Sequence, residues 1–403
     1  MKLHIRNARI LTLTGPSGAR RGETLGDLGV IPRGEVLIDH GKIVSVGPKI
    51  RVSGDVDMFD ARGQVLMPGF VDCHTHACWA GERLDEWELK LKGVPYLEIL
   101  KKGGGIHSTV QAVRAASVKT LTKDLIERLA LMLEAGTTTV EVKSGYGLNT
   151  ETELKMLEAI RRAAKIWVGT IKPTALLGHA FEGDLEKFVR LTTDETLPAV
   201  SAAFPGVAVD AFCEEGAWTK GTCLQLFKAA LAAGHPLRMH ADQFNSLGMI
   251  PEAIRLGALS VDHLEASTDA DLDSLAGSPT MGVILPCTGF HTDGRYARAR
   301  RFVDAGGALA LATNFNPGSA PCHSMPFAIA LAVRHCGLSP AEAIAACTVN
   351  AAVLLGMKDR GTIAPGQRAD LVLLVHRDER ALAHEVGGNP VESVICEGRL
   401  IRS

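Results

Sequence analysis

Residues 70–76 read Phe70-Val71-Asp72-Cys73-His74-Thr75-His76, an apolar start running into two histidines. A short apolar run of this kind, preceded by Pro68-Gly69, is the pattern of a strand buried on both faces. Side chains alternate along a strand, so His74 and His76 project from one face. Seven more runs of the same character follow: Thr138–Lys143, Thr174–His179, Ala208–Cys213, Leu237–His240, Leu259–His263, Gly282–Leu285 and Ala308–Ala312. Helical patterns separate most of them. Val118–Glu134 carries Leu121, Leu125, Leu129, Leu131 and Met132 on an apolar face; Glu151–Ala164 is expected to start from a Thr150 N-cap with Glu153 at the capping-box position; Leu185–Leu191, Lys220–Ala233 and Met325–Cys336 read similarly. Eight buried strands alternating with helices predict an α/β fold, a closed (β/α)8 TIM-like barrel, over residues 67–358. An open doubly wound sheet is the alternative, but no glycine-rich dinucleotide fingerprint follows the first strand.

The flanks have a different character. Leu3–Leu13, Glu35–Ile38 and Lys42–Val46 at one end, and Ala369–Val375 and Val391–Ile401 at the other, are strand-like, with turns at Gly41 and Glu397-Gly398. They predict a small composite β-sandwich domain built from residues 1–66 and 359–403. Lys plus Arg number 43 against 45 Asp plus Glu, a formal net charge of −2, which argues against a nucleic-acid partner. No apolar run approaches the ~20 residues that span a bilayer, and the start lacks the apolar core of a signal peptide, so the expected location is cytoplasmic and no membrane partner is expected. The nine cysteines are scattered without a CxxC pair, which predicts buried, reduced thiols rather than a disulfide framework or a structural zinc site.

Polar residues gather at the C-terminal ends of the runs, where a barrel places its active site. The ends carry His74 and His76, His179, His240-Ala241-Asp242-Gln243, His263-Leu264-Glu265, and Asn314-Phe315-Asn316. Neutral imidazoles suit Zn or Fe, and three protein ligands with one open position make a catalytic metal site; His74, His76 and His240 are the best three. Lys143, at the end of the second run, would be a ligand only after carbamylation, and a structural role is expected for it. Gly103–Gly105, before His107, read as a lid or a plain turn.

The segments FVDCHTH, EVKSGYGL, LLGHA, HADQ with a later VDHL, and NFNPGSAP stand in the order found in the imidazolonepropionases of the amidohydrolase superfamily, and the chain resembles that family over nearly its whole length. The resemblance implies hydrolytic ring opening of 4-imidazolone-5-propanoate to N-formimidoyl-L-glutamate in histidine degradation, with one divalent metal ion, Zn or Fe, on His74, His76, His240 and Asn314. It implies substrate contacts from Arg83, Tyr146, His179, Gln243, Asn316, Gly318 and Ser319, catalytic roles for His263 and Gln243, and a homodimer. The chemistry of these residues agrees. The substrate is a flat ring with a carboxylate tail; Arg83, on the loop after the first strand, offers a bidentate fork, and Asn316-Pro317-Gly318-Ser319 offers donors in a tight turn. Tyr146, between Gly145 and Gly147, sits on a backbone free to adopt unusual angles.

Two positions depart from the family pattern. Asn314 stands where an Asp is usual, and an amide offers an oxygen to a metal but no basic lone pair. Gln243 stands where Glu is frequent. The expectation is that His263 receives the proton, helped by Asp262 or Glu265. The alternatives are a deaminase or hydrolase of a related cyclic amide or amidine, and a metal-poor, non-catalytic relative.

Overall fold

The computed structural model of the protein describes residues 2–93 and 104–402, so Gly103 lies outside the described residues. The first five strands, β1 (Lys2–Leu11), β2 (Val30–Asp39), β3 (Lys42–Gly47), β4 (Asp57–Asp60) and β5 (Val65–Pro68), precede the eight of the barrel. Those eight are β6 (Phe70–Asp72), β7 (Thr137–Lys143), β8 (Thr170–Gly178), β9 (Ala208–Cys213), β10 (Leu237–Ala241), β11 (Ser260–His263), β12 (Met281–Ile284) and β13 (Leu309–Leu311). Three more, β14 (Leu371–Leu374), β15 (Val391–Cys396) and β16 (Arg399–Arg402), close the chain.

Strands β6 to β13 pair in parallel and in sequence order, and each matches one apolar run. The seam between β13 and β6 is closed beyond the regular strands. Thr75 bridges Phe315, the His76 amide donates to the Phe315 carbonyl (2.9 Å) and the Asn314 amide to the His74 carbonyl (3.1 Å). Asp72 completes the seam by accepting from the Thr313 hydroxyl (2.5 Å) and amide (3.2 Å). Burial drives that carboxyl up to about 7 against the pull of the Thr313 hydrogen bonds. Regular pairing in the first strand therefore stops at Asp72, and residues 73–76 hold the last strand by single contacts. Helix Val118–Glu134 has the expected bounds, capped by the Ser117 side chain, but Leu131, expected on its apolar face, is exposed, and Leu133 is buried instead. Helix Thr150–Ile166 does not start from a Thr150 cap: Asn149 accepts the Thr152 amide, and Glu153 is drawn to the loop before the helix.

The terminal strands form one mixed sheet in the order β16-β15-β14-β5-β1-β2-β3, with β4 also on β1. Its two wings share a small core of Ile5, Ile10, Val36, Ile38, Leu371, Leu373 and Ile395, so one continuous sheet packs as two layers would. β5 stays in this sheet to Pro68, and the barrel begins at Phe70. All nine cysteines are free thiols, eight of them buried. Among the described residues no helix is long and apolar enough to cross a membrane.

Candidate active site

Buried charges inside the strands build the site from behind. Asp262, the third residue of β11, accepts from His74 Nδ1 (2.6 Å) and from Arg238 Nη2 (2.6 Å) through the same oxygen. Arg238 Nη1 also donates to the Cys73 carbonyl (2.6 Å), which fixes the stretch that carries His74. Asp210, the third residue of β9, contacts His240 Nδ1 at 3.0 Å and takes Lys143 Nζ on its other oxygen at 2.9 Å. Lys143 in turn pairs with Glu141 (2.7 Å), whose second oxygen accepts the Thr75 amide (3.1 Å). Burial raises the Asp210 carboxyl, but His240 and Lys143 outweigh it and hold it well below the usual carboxylate range.

With Nδ1 protons directed to carboxylates, His74 and His240 keep lone pairs on Nε2. Burial, then the nearby cations and imidazoles, pushes His74 and His76 well below the ordinary imidazole value. His240 is also lowered, chiefly by burial, against the opposing pull of Asp210. Neutral rings are what metal ligation requires. The ring atoms converge: His240 Nε2 lies 3.4 Å from His76 Nε2, and His74, His240 and His263 bring one ring nitrogen each within 4.8 Å of the others. Bond lengths of ~2.0–2.1 Å at a tetrahedral zinc put ligand nitrogens about 3.3–3.4 Å apart. His74 Nε2, His76 Nδ1 and Asn314 Oδ1 are buried without a hydrogen-bond partner. Such atoms are costly to bury unless something binds them. The converging group is His74, His240 and His263, while His76 meets His240 through Nε2 and leaves Nδ1 unpartnered; neutral imidazoles so gathered fit a divalent ion.

Asn314 sits just past β13 in a left-handed conformation (φ 57°). Its Nδ2 donates to Thr288 Oγ1 (2.8 Å), which leaves the buried amide oxygen without a hydrogen-bond partner. His263 ends β11 with φ 93°, and its ring lies 6.0 Å from that of His74 and 5.6 Å from that of His240. Of the two carboxylates expected to help it, Asp262 is engaged by His74 and Arg238, and Glu265 is the one at His263 Nδ1 (3.3 Å). Gln243 is buried beside Glu265 and Thr288 in a small crevice at the mouth.

Loops supply the other wall. His179 stacks on His76 (5.1 Å, 27°) and contacts the Gly145 carbonyl through Nδ1 (2.9 Å); burial, then His240, lowers it to about 3. The Tyr146 ring lies 5.1 Å from His179 and 6.0 Å from His76. Arg83 forms a two-point pair with Glu86 (2.7 and 2.5 Å) and lies so close against Gly318 that a Cβ there would collide with Nη1. Asn316 Oδ1 accepts the Gly318 and Ser319 amides (both 2.8 Å), so its side chain shapes the turn that faces Arg83.

A model of the amidohydrolase family matches residues 65–401. The chain is 45% identical to the imidazolonepropionase of Herpetosiphon aurantiacus over 97% of this chain and 95% of that protein. It is 43% identical to that of Deinococcus radiodurans over 94% and 95%. The chain belongs to the imidazolonepropionase family. Solved structures agree on the fold: 5-methylcytosine deaminase from Klebsiella pneumoniae superposes with a TM-score of 0.75 at 17% identity, over 99% of this chain and 98% of that one. Atrazine chlorohydrolase from Arthrobacter aurescens, complexed with zinc, gives 0.71 at 17% identity over 99% and 94%. For a member of the imidazolonepropionase family, the geometry at Asn314 is the point of interest: the amide is oriented by Thr288 with its oxygen unpartnered.

The site residues expected from sequence all lie at the C-terminal mouth or on its loops. Sequence reasoning does not single out Asp210, Arg238, Glu141, Glu86 or Thr288, and it gives Glu153 a different task. For the first three the available signal is a charged residue inside an otherwise apolar strand, which is tolerated only when paired.

Proposed function

We propose that this chain adds water to 4-imidazolone-5-propanoate and opens the ring to N-formimidoyl-L-glutamate, with one divalent ion, zinc or iron, held by His74, His76, His240 and the Asn314 oxygen. What carries the reading is the set of inward-facing imidazoles, two of them backed by carboxylates, in a chain 45% identical to a named imidazolonepropionase. When bound, the ion supplies a Lewis acid that lowers the pKa of a water toward ~7.

The residues do the rest. Asp262 and Asp210 fix the tautomers of His74 and His240. Arg83, beside Gly318, takes the tail carboxylate, and Tyr146, His179 and Gln243 hold the ring. The water oxygen adds to the ring carbonyl carbon; the carbon–nitrogen bond breaks, and that carbon becomes the new carboxylate. His263, oriented by Glu265, takes the water proton and returns it to the leaving ring nitrogen. Asn314 serves as a neutral oxygen ligand and takes no proton.

The test is an ultraviolet assay of imidazolone-propanoate loss on protein of measured metal content, with cytosine and guanine as controls. Turnover of the imidazolone alone, at about one metal per chain, is expected. Nucleobase deamination without ring opening would overturn the proposal. Asn314→Asp should raise turnover by about 10²-fold if the missing carboxylate limits proton transfer.

A further inference from the structure

The loop 145–148 that carries Tyr146 is an improbable backbone. Gly145 has φ 112°, and Leu148, a buried non-glycine residue, has φ 52°. Conformations of this kind persist only where the surroundings over-determine them. Two side chains do so here. Glu153, buried to 3% exposure, accepts the amides of Gly145 (2.9 Å), Gly147 (2.7 Å) and Leu148 (3.0 Å). Gly147 has no room for a side chain against it, since a Cβ would stand 2.6 Å from the Glu153 amide nitrogen. From the other side Arg114, on helix Ile106–Ala115, donates Nε to the Gly147 carbonyl (2.9 Å) and Nη2 to the Leu148 carbonyl (3.3 Å).

The same guanidinium makes a two-point pair with Glu182 (3.0 and 2.9 Å), three residues past His179. Arg114 thus ties together the two loops whose rings, Tyr146 and His179, stand 5.1 Å apart beside His76. Its hydrogen bonds go to the two loop carbonyls and Glu182, whereas the carboxylates that back the imidazole cluster are Asp262 and Asp210. A planar fork with several fixed donors suits this task, and a lysine would not reproduce it.

We propose that Arg114 is a positioning residue for substrate recognition: by bridging the Tyr146 loop to the His179 loop it sets the width of the slot that receives the imidazolone ring. The inference rests on the ring-opening function proposed above. Its consequence is a split between binding and chemistry. Arg114→Met leaves the imidazole cluster and its carboxylates in place but frees two carbonyls and one loop.

The experiment compares wild type, Arg114→Met, Arg114→Lys and Glu182→Gln for KM, kcat, metal content and melting temperature, with deuterium exchange followed at residues 145–148. Arg114→Met should raise KM for imidazolone-propanoate about 10-fold and lower kcat less than about threefold, about the worth of one charged hydrogen bond. Metal content should not change, and exchange at 145–148 should quicken. Arg114→Lys should fall between, and Glu182→Gln, which keeps both carbonyl contacts, should move KM less than either. Combining Arg114→Met with Tyr146→Phe should cost less than the two changes summed, because they act on one contact. An unchanged KM with a lowered melting temperature would make Arg114 a structural cap and overturn the inference. If wild type consumed no imidazolone-propanoate, the reaction would fail by itself. Exchange would then decide Arg114 alone: unchanged protection of 145–148 in Arg114→Met overturns the bridging role, and faster exchange supports it.

Discussion

The two walls of the mouth are built in opposite ways. The imidazole wall stands on strands: His74, His240 and His263 end β6, β10 and β11 or lie just past them, and Asp210, Asp262, Glu141, Lys143 and Arg238 support them at 0–1% exposure. The tail wall stands on loops: Arg83 on the rise after the first strand, Tyr146 in a strained turn, and Asn316 in a turn that its own side chain closes. Strands give the reacting atoms fixed positions, and loops give a surface that can be changed without disturbing the chemistry. Changes in the first wall should therefore strike turnover, metal and stability, and changes in the second should strike substrate affinity.

The largest expected break is His263→Ala, which should reduce kcat by about 10²–10⁴-fold with little change in KM, measured by steady-state kinetics at matched metal content. An intact kcat would remove His263 from the proton path. Next is Asp262→Ala, which leaves Arg238 buried beside a weaker partner and frees the His74 tautomer. Metal affinity should fall about 10–100-fold, read by competition with a chelator, and stability by about 3–5 kcal/mol, read by denaturant melts. Equal metal affinity in the variant would contradict the supporting role of the carboxylate.

On the other wall, Gly318→Ala places a methyl where Arg83 Nη1 now lies. KM should rise roughly 10-fold through displacement of the guanidinium, with kcat and metal content held. A fall in kcat at constant KM would mean that the turn serves the chemistry and that the two walls are not separate.

The smallest effect lies far from both walls. In the terminal domain burial raises the Glu379 carboxyl, but the Arg9 hydrogen bond and charge lower it more, so it ends below its ordinary value. A carboxyl lowered in this way adds stability above its unfolded pKa, and loses it as pH falls through the folded value. Arg9→Met should cost ~1 kcal/mol or less at pH 7, and the gap to wild type should close in acid. KM and kcat should match wild type at every pH; a kinetic change would show that the terminal sheet is coupled to the mouth.

The fold is legible in the sequence because each barrel strand is a short apolar run with an identifiable break on either side, and those breaks survive as turns. The histidines are legible for a related reason: a polar side chain at the end of a buried strand is costly there unless it has a ligand or a partner to face. What stays hidden depends on contacts between distant positions. By sequence Asp262 is a helper of the adjacent His263, yet its carboxylate faces His74, 188 residues earlier in the chain. By spacing Glu153 is a helix cap, yet it holds a loop, because Asn149 occupies the cap and three amides of the strained turn compete for the carboxylate. Arg83 reads as an open fork, and only the folded chain brings Glu86, one turn away, onto the same guanidinium.

The claim at the centre is that the imidazoles gathered at the mouth hold one metal ion. Crystals grown with zinc or iron and measured on either side of that metal's absorption edge test it directly. The expected result is a single anomalous peak within about 2.0–2.3 Å of a ring nitrogen of each of His74, His76 and His240. A map with no peak among those rings, from protein that still consumes imidazolone-propanoate, would contradict it.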